Sequence, residues 1–217
     1  MEITTVCIIG GSGFVGRHIC HRLAALGYRV RVPTRDRERA KRLILLPTVE
    51  VVTADVHDAR QLGAVLRGCD AAINLVGVLH DGRGRAGFRE AHVELARKVV
   101  AACRDNGVRR LLHMSALAAD GAAPSAYLRS KGEAEAIVRE SGLDATLFRP
   151  SVIFGRDDSF LNLFAGLLKV MPVVMLACPG ARFQPVFVED VAQAFVTSLQ
   201  TPGSVGRSYD LCGPRVY

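Results

Sequence analysis

Residues 6–16 read Val6-Cys7-Ile8-Ile9-Gly10-Gly11-Ser12-Gly13-Phe14-Val15-Gly16. An apolar, β-branched run ends in a glycine cluster, and an amphipathic pattern follows at once. Gly11, Gly13 and Gly16 fit G-x-G-x-x-G, while Gly10, Gly13 and Gly16 fit G-x-x-G-x-x-G. One glycine turns the chain sharply out of the strand. The next lets backbone N–H groups approach a pyrophosphate, and the last lets the helix pack closely on the sheet. The helix, from about Phe14 to Leu26, aims its N-terminal N–H groups and positive dipole end at that phosphate position. Gly10, Gly11, Ser12, Gly13, Phe14, Val15 and Gly16 are therefore the first candidate cofactor contacts. A purely structural glycine turn is the alternative.

Working outward, strand and helix signals alternate through residue 150. Strands are expected at Val6–Ile9, Arg29–Pro33, Val49–Thr53, Ala71–Val76, Leu111–Met114 and Ala145–Phe148. Helices are expected at Phe14–Leu26, about Arg37–Leu45, Ala59–Leu66, Phe88–Asp105 and Tyr127–Glu140, with a Gly- and Arg-rich loop at Leu79–Gly87. This order predicts an α/β fold, a doubly wound parallel sheet of the Rossmann type with right-handed crossovers. The dinucleotide-binding domain is expected over 1–150. A small substrate-side segment, 151–217, completes the same domain. Within it a helix is expected at Ser159–Val170, irregular chain at Pro172–Arg182, an extended run at Val186–Val188, a helix at Glu189–Leu199 and a last strand at Tyr209–Cys212. The chain stops at Tyr217 where another helix would follow, so truncation at the C-terminus is expected.

Composition narrows the class. The 217 residues are 49% hydrophobic and 23% charged, as in a soluble globular domain. The net charge is +7, carried by 24 Arg against 4 Lys. There is no Trp and aromatics make up 6%, so the basic-and-aromatic stripe of a nucleic-acid binder is missing. The charge fits an anionic cofactor, and nucleic acid is not an expected partner. Cysteines stand at 7, 20, 69, 103, 178 and 212 without a C-x-x-C pair, which points to reduced, buried thiols rather than zinc. The N-terminus lacks a signal-peptide pattern, and Lys169 and Pro172 interrupt the apolar run Phe160–Ala177. A cytoplasmic protein without a transmembrane segment is expected.

Strand two ends at Pro33-Thr34-Arg35-Asp36, where an NAD-preferring site would carry an acid for the ribose 2′-hydroxyl. Arg35 can instead make charge-assisted bonds to a 2′-phosphate, which favours NADP(H) and leaves NAD(H) open. Arg35 can equally begin a solvated basic helix. Asp55 and Val56 stand where an adenine amino group would be held, or are an ordinary loop. After strand four, Leu75, Val76 and Gly77 bring backbone to the cofactor. The sharpest catalytic signal is Tyr127-Leu128-Arg129-Ser130-Lys131. Its i, i+4 spacing puts phenol and ammonium on one helix face, where the ammonium lowers the phenol's pKa and also reaches ribose hydroxyls. The alternative is a surface Tyr and Lys on an exposed helix.

In this order the motifs resemble the short-chain dehydrogenase/reductase superfamily, in its extended and atypical branches. The resemblance covers nearly the whole chain. It implies that Gly10, Gly13 and Gly16 form the phosphate loop and that Asp55-Val56 touch adenine. Tyr127 and Lys131 would be the active-site pair, and the Arg149-Pro150-Ser151 segment would flank the nicotinamide through Pro150. His92-Val93-Glu94, His113–Asp120 and Arg149–Asp158 are similar to a narrower group: the nucleotide-binding accessory subunit of respiratory complex I and its free-standing bacterial relatives. That resemblance implies NADP(H) binding, a peripheral place at the membrane, and a respiratory or quinone-metabolism complex as partner. Active members place Ser or Thr just past strand five, at the end of a serine run. Here the run is Ser115-Ala116-Leu117, so Ser115 stands early and Ser125 is a second candidate. Two readings follow: an oxidoreductase that moves hydride between nicotinamide and a carbonyl, alcohol or quinone-like substrate, or a non-catalytic nucleotide-binding subunit or redox sensor.

Overall fold

The computed structural model describes residues 3–82, 87–158 and 180–217. Seven strands form one sheet in the order β3-β2-β1-β4-β5-β6-β9, with every neighbouring pair parallel. They are β1 Thr5–Ile9, β2 Arg29–Thr34, β3 Val49–Thr53, β4 Ala71–Asn74, β5 Arg110–Met114, β6 Asp144–Pro150 and β9 Ser208–Leu211. A separate two-stranded ribbon pairs β7 Ile153–Phe154 with β8 Val186–Phe187. The helices are α1 Phe14–Ala25, α2 Ala59–Leu66, α3 Leu95–Asp105, α4 Ala126–Arg139 and α5 Val188–Gln200. This is the doubly wound α/β architecture that the alternation predicts.

Period-two alternation sends side chains to two cores. Val6 and Ile8 of β1, with Leu112 of β5, meet α1 and α5 on one face. Cys7 and Ile9, with Leu111, meet α2, α3 and α4 on the other. On the first face Glu189 of α5 takes Arg22 Nε at 2.8 Å and His18 Nδ1 at 2.5 Å, tying α5 to α1. Phe148 and Phe195 stack beneath them with ring centres 4.1 Å apart.

Three expectations need correction. The charged helix over Arg37–Leu45 is a single 3₁₀ turn, Glu38–Ala40. Only Ala40 and Leu43 of that stretch are fully buried, too little apolar contact to order several turns. The helix expected over Phe88–Asp105 opens as a π-helix, Arg89–Glu94, before becoming α3. Strand β4 stops at Asn74 rather than Val76, because the Asn74 side chain takes the Val76 N–H at 3.2 Å and turns the chain out of the sheet. The expected helix at Ser159–Val170 and most of the irregular stretch Pro172–Arg182 lie outside the described residues.

Candidate functional site

Because the seven strands run parallel, their carboxyl ends share one edge, and the predicted residues follow those ends. Gly10–Gly16 follow β1, Arg35 follows β2, Asp55 and Val56 follow β3, Leu75–Gly77 follow β4, Ser115 follows β5, and Pro150 closes β6. This is the edge where ligands bind in open α/β sheets.

The glycine turn is built so that side chains have no room. Gly10 has φ +85°, strained for any L-residue. A Cβ on Gly16 would stand 2.5 Å from the Gly10 carbonyl oxygen, and one on Gly11 would stand 3.0 Å from the Val32 methyls. Gly13 is different. It is exposed, and a Cβ there would meet only the Gly10 oxygen, at 3.2 Å. Helix α1 starts with no side-chain cap and no acid in its first turn. By contrast, Asp58 caps α2 by accepting from the N–H groups of Arg60 and Gln61. A helix start left uncapped beside a glycine cradle fits a dinucleotide pyrophosphate, whose charge would meet the free N–H groups. The Phe14 ring lies edge-on to His18 and against Gly155, so the 149–158 segment packs onto the turn.

Arg35 is exposed directly after β2 and makes no ion pair among the described residues. Asp36 is occupied: its carboxylate takes the Glu38 N–H at 3.0 Å and lies 3.6 Å from Arg39. Asp55 Oδ1 accepts the His57 N–H at 3.0 Å, which shapes the loop after β3. Val56 leans on the second core. Leu75 is buried, Val76 half-buried and Gly77 exposed. Pro150 is buried, and its carbonyl accepts the Leu117 N–H at 2.9 Å, joining the chain after β5 to β6.

Lys131 is 2% exposed. Its Nζ donates to the Met114 carbonyl at 3.1 Å and would stand 3.1 Å from a Cβ at Gly77. The ammonium of α4 is thus delivered to the carboxyl ends of β4 and β5. Burial lowers its pKa to about 8, with Glu135 one turn on pulling the other way. Glu135 is held by Arg149 through two bonds, at 2.7 and 2.6 Å. Tyr127, one turn before Lys131, packs its ring edge-on against the stacked Phe88 and His92, with centres 5.7 and 5.6 Å away. Its pKa moves up through burial rather than down. The lowering expected from a neighbouring ammonium is therefore not realised here: desolvation of the buried phenol decides the direction.

Ser115 lies in the pair's layer, but its Oγ is buried with no hydrogen-bond partner among the described residues. Its N–H donates to the Phe148 carbonyl at 2.7 Å, extending the β5–β6 pairing by one residue. Ser125, the second candidate, is exposed at the N-cap of α4. Ala118 takes φ 60° in the loop between them, a conformation uncommon for a residue with a Cβ.

Sequence reasoning missed a hydrogen-bonded chain behind the pair. The Val78 N–H donates to His92 Nε2 at 3.0 Å, so the proton of the neutral ring sits on Nδ1. That nitrogen donates to Ser130 Oγ at 2.8 Å, and Ser130 donates to the Tyr127 carbonyl at 2.7 Å. Burial and the Lys131 charge push the His92 pKa down to about 3. His113 is held similarly, at about 3, with Asn74 Nδ2 at 3.2 Å from its Nδ1. His92 sits on the π-helix, visible only in the structure; such irregularities are frequent at functional sites. Gly132 was also missed. A Cβ there would stand 2.4 Å from the backbone of Asp120 and Gly121, so it sets how closely α4 approaches the loop after β5.

Residues 10–161 match the family model described as NAD(P)H-binding. A mitochondrial protein of Arabidopsis thaliana, NADH dehydrogenase [ubiquinone] 1 alpha subcomplex subunit 9, is 33% identical over 97% of this chain and 54% of its own length. The ceramide reductase of Caulobacter vibrioides is 34% identical over 91% of this chain and 61% of its own length. The chain thus spans little more than half the length of these relatives. Among solved structures, dTDP-glucose 4,6-dehydratase DesIV of Streptomyces venezuelae with NAD bound superposes with a TM-score of 0.83 over 100% of this chain and 77% of its own, at 23% identity. The Bordetella bronchiseptica enzyme WbmH with NAD+ gives 0.84 over 99% and 77%, at 22% identity.

Proposed function

The chain belongs to the NAD(P)H-binding family, within the extended short-chain dehydrogenase/reductase-like group, and from that premise we propose that it is an NADP(H)-dependent oxidoreductase. Its substrate is a carbonyl, an alcohol or a quinone-like compound. The observation that carries the reading is Lys131, a buried ammonium held at the carboxyl ends of β4 and β5 one helical turn from Tyr127. When bound, NADP(H) supplies or accepts hydride at the substrate carbon. Gly10–Gly16 hold the pyrophosphate, Arg35 takes the 2′-phosphate, and Asp55 and Val56 face the adenine. Leu75, Val76, Gly77 and Pro150 line the nicotinamide end. The Tyr127 hydroxyl gives or takes the proton at the substrate oxygen. Lys131 supports it electrostatically and holds the ribose, and Ser115 is the hydroxyl nearest in sequence to the orienting role.

A second reading rests on the enclosed Ser115 hydroxyl and the upward shift of Tyr127. A site with those features holds cofactor well and turns over poorly. The chain would then be a nucleotide-binding accessory subunit or redox sensor at the periphery of a respiratory or quinone-metabolism complex. The 33% identity to the Arabidopsis subunit supports this reading. Among the described residues no helix is long and apolar enough to cross a membrane, which suits a cytoplasmic or peripheral place.

The two readings separate in one assay. A carbonyl panel that includes quinones is followed by NADPH oxidation at about 340 nm, the absorbance of the reduced nicotinamide. For an enzyme, Tyr127→Phe lowers turnover by about 10²–10⁴-fold while NADPH affinity holds. Equal turnover in wild type and Tyr127→Phe would remove Tyr127 from the chemistry. Tight NADPH binding without turnover across the panel favours the subunit reading.

A further inference from the structure

The chain that leaves β4 is pinned at two amides. Asn74 Oδ1 takes the Val76 N–H at 3.2 Å, and His92 Nε2 takes the Val78 N–H at 3.0 Å. Between them lies Gly77, which is exposed. A Cβ there would stand 3.1 Å from Lys131 Nζ and 3.6 Å from His92 Nε2, so the missing side chain leaves room for both. The same glycine makes the backbone permissive, because without a Cβ the 77–78 peptide can turn over at little cost. His92 opposes that turn. It is 2% exposed, its ring stacks on Phe88 with centres 5.6 Å apart, and the Tyr127 ring meets it edge-on at 5.6 Å. Ser130 Oγ holds the other side of the ring, 2.8 Å from Nδ1, and is itself bonded to the Tyr127 carbonyl at 2.7 Å. Burial and the Lys131 charge push the His92 pKa down to about 3, so Nε2 carries no proton and can accept.

A trans peptide carries its N–H and C=O on opposite sides of one plane, and no cis bond occurs among the described residues. The Val78 N–H is turned in toward the buried imidazole. The Gly77 carbonyl belongs to the same peptide, so it is turned away from His92, on the side of an exposed residue. We propose that His92 is a positioning residue that locks the Gly77–Val78 peptide and so holds the Gly77 carbonyl as a fixed acceptor for the nicotinamide half of the cofactor. The donors in that half are its ribose hydroxyls and its carboxamide N–H groups. This role rests on the reading that a nicotinamide dinucleotide lies along the carboxyl edge of the sheet. His92 itself touches no cofactor atom. It acts through the backbone: an acceptor already in place costs the ligand no ordering of a glycine hinge when it binds. The lock therefore matters only to a ligand that reaches past the β1–β3 loops to the chain after β4.

Two substitutions in the whole chain separate the two ring nitrogens. His92→Gln is nearly as long as histidine and returns an amide oxygen near the Nε2 position, so Val78 keeps an acceptor. His92→Asn reaches only the Nδ1 position and leaves the Val78 N–H without its partner. Without cofactor, amide exchange should show Val78 at least about ten-fold less protected in His92→Asn than in wild type, with His92→Gln close to wild type. Calorimetry then compares NADPH with adenosine 2′,5′-bisphosphate, which lacks the nicotinamide half. His92→Asn should weaken NADPH by about ten-fold and the bisphosphate by less than about two-fold, the scale of one lost hydrogen bond at one end of the ligand. His92→Gln should recover most of the NADPH loss and bind the bisphosphate as wild type does. An equal loss of both ligands, no loss of NADPH in His92→Asn, or His92→Gln as weak as His92→Asn would each overturn the proposal while wild type still binds NADPH. Failure of wild type to bind either ligand would instead remove the dinucleotide reading, and the role of Gly77 with it.

Discussion

Gly13 and Gly16 lack side chains for different physical reasons, and substitution separates them. Gly16 is buried where a Cβ would stand 2.5 Å from the Gly10 oxygen, so Gly16→Val should cost the fold, seen as loss of the cooperative thermal transition. Gly13 is exposed, so Gly13→Val should leave melting within about 3 °C of wild type and abolish NADPH binding by filling the approach to α1. Unchanged NADPH fluorescence in folded Gly13→Val would sink the cradle assignment. Arg35 is the other single-residue case. It stands exposed and unpaired among the described residues at the end of β2, ready for an incoming anion. A charge-assisted bond contributes about 1.5–3 kcal/mol, so Arg35→Ala should weaken NADPH about ten-fold or more and leave NADH nearly alone. An equal loss for both cofactors would assign Arg35 to general steering.

At the scale of elements, α4 carries the burden of a buried ammonium. Lys131 has a pKa of about 8 in the fold against 10.5 ordinarily. Between those values the unfolded chain binds more protons, so stability rises with pH across the window. Below pH 8 the cost is fully present, on the order of 3 kcal/mol. Lys131→Met should therefore gain on wild type at pH 7, less what the freed Met114 carbonyl costs, and that advantage should shrink as pH rises from about 8 to 10.5. Urea unfolding at several pH values measures it; a difference independent of pH would mean Lys131 does not titrate in the fold. The π-helix is the companion element. Its His92 clamps the Val78 amide and, through Ser130, the first turn of α4. His92→Leu should release that clamp, and amide exchange should show Val78 losing its protection while core amides of β1 keep theirs.

At the scale of the molecule, an all-parallel sheet places every strand's carboxyl end at one edge, and a ligand there touches loops from several strands together. Binding should therefore stabilise the whole domain. At a concentration about 100 times its dissociation constant, NADPH should add about 2.7 kcal/mol, or roughly 5–10 °C of melting temperature. NADH at the same concentration should add less, and a reversed order of the two cofactors would contradict the NADP(H) preference.

Local pattern made the α/β alternation, the glycine turn and the Tyr127/Lys131 spacing legible, because each is written in residues close together in the chain. The β-branched run into Gly10 and the i, i+4 pair need no tertiary partner to be recognised. What Lys131 does there was not legible: the Met114 carbonyl that holds it and the burial that lowers its pKa come from packing α4 on β5. Tyr127 shifts upward for the same reason, its ring enclosed by Phe88 and His92 from a segment about 35 residues earlier in the sequence. The short turn at Glu38–Ala40 shows the limit from the other side, where charge patterning promised a helix and too little apolar surface was available to support it. The contact of Arg31 with the Cys69 sulfur was likewise hidden. Residues from β2 and from the turn before β4 become neighbours only when β1, β2 and β4 align in one parallel sheet, so that contact belongs to the tertiary structure alone.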